Sequence, residues 1–512
     1  MKTARDGAML GVLAVQYKYT SSHNFLYCNG PMSNTPDAVL NLLTRGSGET
    51  LIDQIVRTLA ARIDDRLLRG GARMPSIRQC AASLDVSCAT IVASYDKLVA
   101  RDYLESRRGA GFYVRERAPL HLPVAAAPQG AAQPMDVVWL IRNMFRESPA
   151  LGSMLAPGSG MLPPEWLDGE LVGRALRDVS RQPGALMLSY GAPQGFLPLR
   201  QQLQIKLAGL EIACPPEQIV TTVGVMQALD LVAREFARPG DTIFVDDPAY
   251  WLMFGAFAAM GMQVIGIPRL ADGPDIAMLE QLAAIHRPKL YVINSVLHNP
   301  SSTSLCAAKA FQVLRLAEQH DFLVVEDDIY CDMHPGGAVQ PATRLAALDQ
   351  LRRVIYLGGF SKSLAANLRV GFVATSPERA QRLADRKMLS TLTSSDLGER
   401  VVYKILSQGL YRKHAERLRG RLDKVRDGTY RRLEQAGLRF EPSAAGMFVW
   451  ADAGSDTNVL AEKALAEGLV LAPGSLFSPR QLPSTRMRLN LATVQDARAW
   501  DFFRRALDGA IR

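Results

Sequence analysis

Five short apolar runs dominate the larger part of the chain: IVTTVG (219–224), TIFVDD (242–247), LYVINSV (290–296), FLVVEDD (322–328) and VIYLGGF (354–360). Amphipathic stretches such as QALDLVAREF separate them. Strands that alternate with helices require a parallel sheet covered on both faces, so residues of about 135–512 are expected to form one α/β body. No repeat of solenoid period interrupts the pattern.

The first part of the chain has a different period. Leu51, Ile55, Leu59, Ile63 and Leu67 recur every four residues, one apolar helix face that Gly70 and Gly71 are expected to stop. Ser76 and Gln79 have the spacing of a capping box for a second helix. Asp85-Val86-Ser87 reads as a tight turn, with Ser87 capping a third helix that turns Ile91, Tyr95 and Leu98 inward. A hairpin is expected next, from Tyr103–Ser106 to Gly111–Val114, with Arg107-Arg108-Gly109-Ala110 at its tip. Glycine there permits close backbone approach, and the arginines supply phosphate or minor-groove contacts. Residues 49–117 thus make a compact unit with twelve Lys/Arg and nine Asp/Glu. A net of +3 is modest, so DNA binding rests on arrangement rather than bulk charge, even though the whole chain carries +9.

Residues 1–48 show no sustained period and are read as a disordered extension. Ala, Pro and Gln dominate 118–134, which reads as a linker. No apolar run reaches the length of a membrane span, and no export signal is convincing, so the expected location is cytoplasmic with no membrane partner. Six cysteines, at 28, 80, 88, 214, 306 and 331, lack metal-ligand spacing and suit a reducing compartment.

The segment RMPSIRQCAASLDVSCATIVASYDKLVARDYLESRRGAGFYV resembles the GntR family of winged helix-turn-helix regulators. The resemblance covers 51–114 and implies a DNA-binding surface. Ser76, Arg78 and Thr90 would meet DNA, Ser87 would cap the recognition helix or touch phosphate, and Arg107, Arg108, Gly109 and Gly111 would form the wing. Two positions depart from the pattern. Asp85 stands where glycine is usual, and Cys88 where a long polar residue is common.

The richest chemistry lies in Tyr356–Gly371. Lys362 follows an apolar strand, Ser361 flanks it, and Arg369 comes seven residues on. A lysine so placed suits a Schiff base with an aldehyde cofactor, with Ser361 and Arg369 holding its phosphate. Such a cofactor also needs a buried carboxylate at its ring nitrogen, and Asp327 ends an apolar strand. Tyr330 and Asn299 could bond a ring hydroxyl, Tyr250 could stack on the ring, and the amides of Val225 and Met226 begin a phosphate-binding helix. Singly, each has a plain structural explanation; jointly, in this order, they read as one site.

This arrangement resembles fold-type I pyridoxal-phosphate enzymes of the aminotransferase class I/II family, from about residue 150 to the end. YGAPQGFLPLR, GVMQALDLV, EDDIYCDM, FSKSLAANLRVGF, APGSLF and RMRLNLA carry the likeness. It implies pyridoxal 5'-phosphate as cofactor, Lys362 and Asp327 as catalytic residues, and a small C-terminal α+β subdomain. It also implies that Arg488 grips a substrate or effector carboxylate, and that Tyr190 reaches the phosphate of the other subunit in a homodimer. Gly359 stands where the family has a serine or threonine phosphate donor, and Asn299-Pro300-Ser301-Ser302 replaces its N-P-T-G. A GntR head joined to such a body resembles the MocR class of bacterial regulators. The expectation is a transcriptional regulator that senses pyridoxal phosphate or an amino compound on an operator with two half-sites. The alternative is a working aminotransferase with an accessory DNA-binding domain.

Overall fold

The computed structural model describes residues 43, 48–116, 154–182, 188–336 and 342–508. Nearly all of the extension 1–48 and the whole linker 118–134 lie outside the described residues. The chain divides into two compact units, Met1–Ala131 and Ala132–Arg512, and each is taken by itself.

In the first unit, helix α1 spans Leu51–Asp64 and is capped by Thr50, whose hydroxyl accepts the Asp53 N–H at 3.2 Å. The apolar stripe expected to run to Leu67 stops one turn early. Arg66 takes a left-handed φ of 58°, and the N–H groups of Leu67 and Leu68 both turn back to the Arg62 carbonyl. Leu67 is left 70% exposed, and Gly70 and Gly71 belong to the following turn, not to the helix end. Helix α2 (Ile77–Ser83) has its capping box: Ser76 Oγ accepts the Gln79 N–H, and the Gln79 side chain accepts the Ser76 N–H. Asp85 adopts φ 50°, a conformation Asp tolerates where glycine is usual. Ser87 caps α3 (Cys88–Ala100). Ile91, Tyr95 and Leu98 are completely buried, each contributing about 1.5–3 kcal/mol of apolar burial. Strands β1 (Leu104–Arg107) and β2 (Gly111–Val114) pair antiparallel from Leu104↔Val114 to Arg107↔Gly111.

The second unit is built on a sheet of eight strands: β3 (Ile219–Thr222), β4 (Thr242–Asp247), β5 (Gln263–Leu270), β6 (Gly273–Pro274), β7 (Leu290–Ile293), β8 (Leu323–Asp327), β9 (Val354–Gly359) and β10 (Gly371–Ala374). Their order is β3-β10-β9-β8-β7-β4-β5-β6. The parallel core β5-β4-β7-β8-β9 follows the expected alternation. It is not all parallel: β10 runs antiparallel to both β9 and β3. The reason is local, since β10 returns directly from β9 through the loop that carries Lys362, with no long crossover helix. Both faces are covered. Phe244, Tyr291, Val324 and Tyr356 pack into one cluster, and Ile243, Val292, Val325 and Ile355 into another.

A smaller antiparallel sheet, β11 (Phe448–Asp452), β13 (Arg486–Asn490) and β12 (Ala472–Pro473) in that order, packs with helices Leu410–Gln435, Thr457–Ala466 and Ala497–Asp508. Leu162, from the start of the described body, lies in this second core. No helix among the described residues is long and apolar enough to cross a membrane.

Candidate functional site

Ligands of open α/β sheets bind beyond the carboxyl ends of the strands. A pocket lies there, lined by Val225, Met226, Tyr250, Asn294, Asn299, Asp327, Ile329, Tyr330, Ser361, Lys362 and Arg369 among others. Nine of the ten residues assigned to the cofactor from sequence line it; Tyr190 does not, and its side chain is 82% exposed.

The acidic run Glu326-Asp327-Asp328 is sorted by the pleat of β8 and its end. Glu326 turns away, accepting the N–H groups of Leu345 and Ala346 at 2.8 Å each and so capping the helix Leu345–Asp349. Asp328 accepts from Arg344 Nε at 2.6 Å and from the Tyr356 hydroxyl at 2.9 Å. Asp327 alone of the three lines the pocket. Its Oδ1 accepts the Ile329 N–H at 3.2 Å, and its Oδ2 has no donor among the described residues. Burial, with Asp328 adding to it, pushes its carboxyl up to about 7. A cationic ring nitrogen at Oδ2 would hold it ionised.

Lys362 follows β9 and is buried. Burial, with the Arg488 and Arg369 charges, lowers its amine to about 8, against the pull of Asp327. Its Nζ lies 3.2 Å from the Met161 sulfur. Asn299 Nδ2 bonds the Tyr330 hydroxyl at 3.3 Å, and Asn294 Oδ1 accepts the Asn299 N–H at 2.7 Å. Asn294 Nδ2 also holds the Asp327 carbonyl at 2.5 Å. Asn294 was not singled out from sequence, although its place just past the end of β7 marks it.

The helix start beside the pocket has the parts that an anion-binding cradle needs. The thirteen-residue helix Gly224–Phe236 has no side-chain cap, so its first amides are left to an anion. Arg369 reaches over it, with Nη2 donating to the Val223 carbonyl at 3.0 Å. Gly224 sits at φ 73°, and a Cβ there would come within 2.9 Å of that guanidinium. The cradle therefore requires glycine. Uncapped amides, an arginine and a pocket-facing carboxylate suit a phosphorylated pyridine aldehyde beside Lys362.

Arg488, on β13, is buried under this pocket. Nη1 donates to Asn299 Oδ1 and Nη2 to the Gly158 carbonyl, both at 2.8 Å. Phe448 and Phe477 flank the guanidinium at 4.7 and 4.9 Å. The Ser302 that replaces the family glycine adopts φ 56°, and its Oγ accepts the Phe448 N–H at 3.1 Å. Gly446 makes the room, since a Cβ there would lie 2.6 Å from that oxygen.

In the first unit, Arg78, Ser76 and Ser87 are exposed, as are Arg107, Arg108, Gly109 and Gly111, while Thr90 is half-buried. The Ser87 and Thr90 hydroxyls bond each other at 2.9 Å. Arg107 is drawn back along the hairpin: Nη2 lies 2.6 Å from Glu105, and its guanidinium sits 4.4 Å over the Tyr113 ring. Arg108, at the turn, has no such partner among the described residues.

Fold and site together define a two-part chain, a winged helix-turn-helix followed by a body of the fold-type I aminotransferase kind. Residues 51–114 match the bacterial regulatory proteins of the gntR family, and residues 171–502 match aminotransferase class I and II. The chain belongs to the aminotransferase class I and II family and carries a GntR-type head. It is 26% identical to the uncharacterized HTH-type transcriptional regulator YisV of Bacillus subtilis, over 86% of this chain and 93% of that one. It is 27% identical to the probable rhizopine catabolism regulatory protein MocR of Rhizobium meliloti, over 74% and 76%. The body is similar in structure to a kynurenine aminotransferase of Pyrococcus horikoshii solved with PMP and kynurenine, with a TM-score of 0.64 and 28% identity. That match covers 70% of this chain and 91% of the enzyme.

Proposed function

We propose that the protein is a pyridoxal-phosphate-dependent transcriptional regulator whose aminotransferase-like body reads the cofactor together with an amino acid or amine. The observation that carries this reading is the conjunction of a GntR head with a body whose Lys362 and Asp327 share one pocket with an uncapped helix start. A metabolic enzyme gains nothing from a DNA reader.

The bound cofactor supplies an electrophilic aldehyde and an electron sink. Lys362, with its amine near 8, has a neutral fraction at physiological pH with which to link to it. Asp327 would keep a proton on the ring nitrogen. Arg369, Ser361 and the amides of Val225 and Met226 would hold the phosphate, Tyr330 and Asn299 would bond the ring hydroxyl, and Tyr250 would pack against the ring. Arg488 takes an effector carboxylate through two parallel bonds.

The active unit is a homodimer. Support comes from Tyr190, which is 82% exposed and lies outside the pocket of its own body, as a residue that serves a second copy would. Tyr190 then serves the phosphate site of a second copy, and two heads meet two operator half-sites. The cytoplasm holds both DNA and cofactor and is the compartment this function requires.

The same Lys362, Asp327 and Arg488 also support transamination, and 28% identity to a kynurenine aminotransferase favours testing it. Purified protein should show visible absorbance from lysine-bound cofactor, lost in Lys362→Ala with the fold intact. Operator affinity should change with cofactor and amino acid. A protein that turns over amino and keto acids while its DNA affinity ignores them is an enzyme, and the regulatory reading is then wrong.

A further inference from the structure

Lys362 sits in a short loop between Phe360 and Leu364, both buried in the larger core. Ser363, the residue after the lysine, is tied by side chain and backbone to the start of the helix Leu410–Gln435. Its hydroxyl lies 2.5 Å from the Tyr411 hydroxyl, and its carbonyl accepts from His414 Nε2 at 2.8 Å. The Tyr411 ring also meets the Phe360 ring edge-on, with centroids 5.4 Å apart. One tyrosine thus touches the chain on both sides of Lys362 without lining the pocket.

The hydroxyls have a fixed order. Tyr411 donates to Asp332 Oδ2 at 2.5 Å. Burial opposes the charge of Asp332, but the Lys206 amine paired with it holds its carboxyl below the usual range. A carboxylate only accepts and a phenol has one proton, so the Ser363 hydroxyl must donate to the Tyr411 oxygen. The chain therefore runs from Ser363 through Tyr411 to Asp332. Asp332 stands two residues after Tyr330, and Arg419 Nη1, from the same helix as Tyr411, donates to its carbonyl at 2.8 Å. One helix thereby holds the loops that carry Lys362 and Tyr330. A buried chain of this kind fixes geometry, because a member that loses its partner finds no water to replace it.

Resting on the reading of Lys362 as the lysine that takes the cofactor, we propose that Tyr411 is a positioning residue, which acts through Ser363 to keep the Lys362 amine seated in the pocket. Its effect is to keep that amine out of water. Burial is the largest influence lowering the amine; the Arg488 charge comes next, Asp327 opposes them and Arg369 adds to them. A loop released from Tyr411 admits water, and the amine returns part of the way to its ordinary value.

The test removes single hydroxyls from the full-length protein. Tyr411→Phe keeps the ring against Phe360, Ser363→Ala cuts the chain at its other end, and a double variant loses both. Tyr430→Phe is the control, because it removes another hydroxyl of the same helix, one that donates to the Ser443 carbonyl at 2.8 Å. Each protein is freed of cofactor, and capture of added pyridoxal phosphate is followed by visible absorbance from pH 7 to 9.5. Only the neutral amine reacts. Tyr411→Phe and Ser363→Ala should each capture about three- to tenfold more slowly than the parent at pH 7, and within about 1.5-fold of it at pH 9.5. The double variant should be no slower than the slower single one, because both cut the same chain. Tyr430→Phe should follow the parent throughout. A deficit equal at every pH, or none at all, overturns the positioning role. So does multiplied slowing in the double variant, or the same pH-dependent deficit in Tyr430→Phe. Ser363→Ala alone decides the matter if Tyr411→Phe does not fold. A parent without lysine-bound absorbance overturns the cofactor assignment as well, while operator binding plays no part and leaves the regulatory reading to its own test.

Discussion

Gly359→Ser would return a hydroxyl to the position three residues before Lys362, where the family carries a phosphate donor. A hydrogen bond to a charged acceptor is worth about 1.5–3 kcal/mol, roughly ten- to a hundredfold in affinity. The structure sets what opposes it. Gly359 is buried at the end of β9, and a Cβ there would lie 3.0 Å from Ile329 Cδ1, 3.3 Å from the Val370 carbonyl and 3.4 Å from Gly371 Cα. Overpacking of that kind costs about 1–3 kcal/mol of fold stability and pushes the new side chain out of place, so the single substitution should lower the melting temperature without bringing the hydroxyl squarely onto the phosphate. The nearest obstacle is one methyl group, and Ile329→Val removes it at a stability cost of about 0.5–1.5 kcal/mol. The double variant should therefore hold pyridoxal phosphate about tenfold more tightly than Ile329→Val alone. Its DNA binding should also respond less to added cofactor, because a site that stays full reports nothing. The assay is a cofactor titration of the three variants, read by visible absorbance, with thermal melts for stability. If the double variant binds no better than Ile329→Val, the hydroxyl does not reach the phosphate, and the glycine serves the close approach to β10.

Cofactor capture should quicken with pH. Only the neutral Lys362 amine reacts, and with its amine at about 8 the neutral fraction rises roughly tenfold between pH 7 and 9; a flat rate over that range would contradict the assignment. Arg108→Ala should flatten the salt dependence of DNA binding by about one phosphate contact. Arg107→Ala should do less, because Arg107 is already held by Glu105 and Tyr113; equal effects, measured by operator binding across salt, would undo that ranking. Arg488→Lys should weaken the amino-acid response by about tenfold or more and leave the cofactor absorbance intact, since lysine cannot form two parallel bonds. Loss of the cofactor itself would move Arg488 into the cofactor site.

Where the sequence dictated short-range chemistry, it was legible. The Ser76 capping box, the Ser87 cap and the left-handed Asp85 are local features that tertiary packing had no reason to override. The strand ends around Asp327 and Lys362 were legible because apolar runs that stop in polar residues mark the ligand edge of a sheet. Leu67 was misread because its spacing continues the stripe, while the chain has already turned at Arg66, a residue with no helix-stopping signature. The antiparallel β10 was hidden for a related reason: four residues after a long functional loop carry no sign of direction. Gly158 and Met161 were missed because their contacts, with Arg488 and with Lys362, exist only across 330 and 201 residues of chain. Arg107 looked like a free wing arginine until Glu105 on its own strand and Tyr113 across the hairpin were seen.

The hydroxyl at Ser302 has a mechanical consequence. It takes the Phe448 N–H, and the Ser302 carbonyl takes the Ser443 hydroxyl at 3.1 Å. Both bonds cross from the loop beside Asn299 to the smaller sheet, at a point where the family backbone would have neither hydroxyl nor Cβ. They act as a pin. The same loop presents Asn299, whose side-chain oxygen accepts from Arg488, and Arg488 sits on the strand beside Phe448. The arginine expected to grip a carboxylate is thus set in place by two hydroxyls that stand outside its own contacts, and the seat of the ligand is braced from behind.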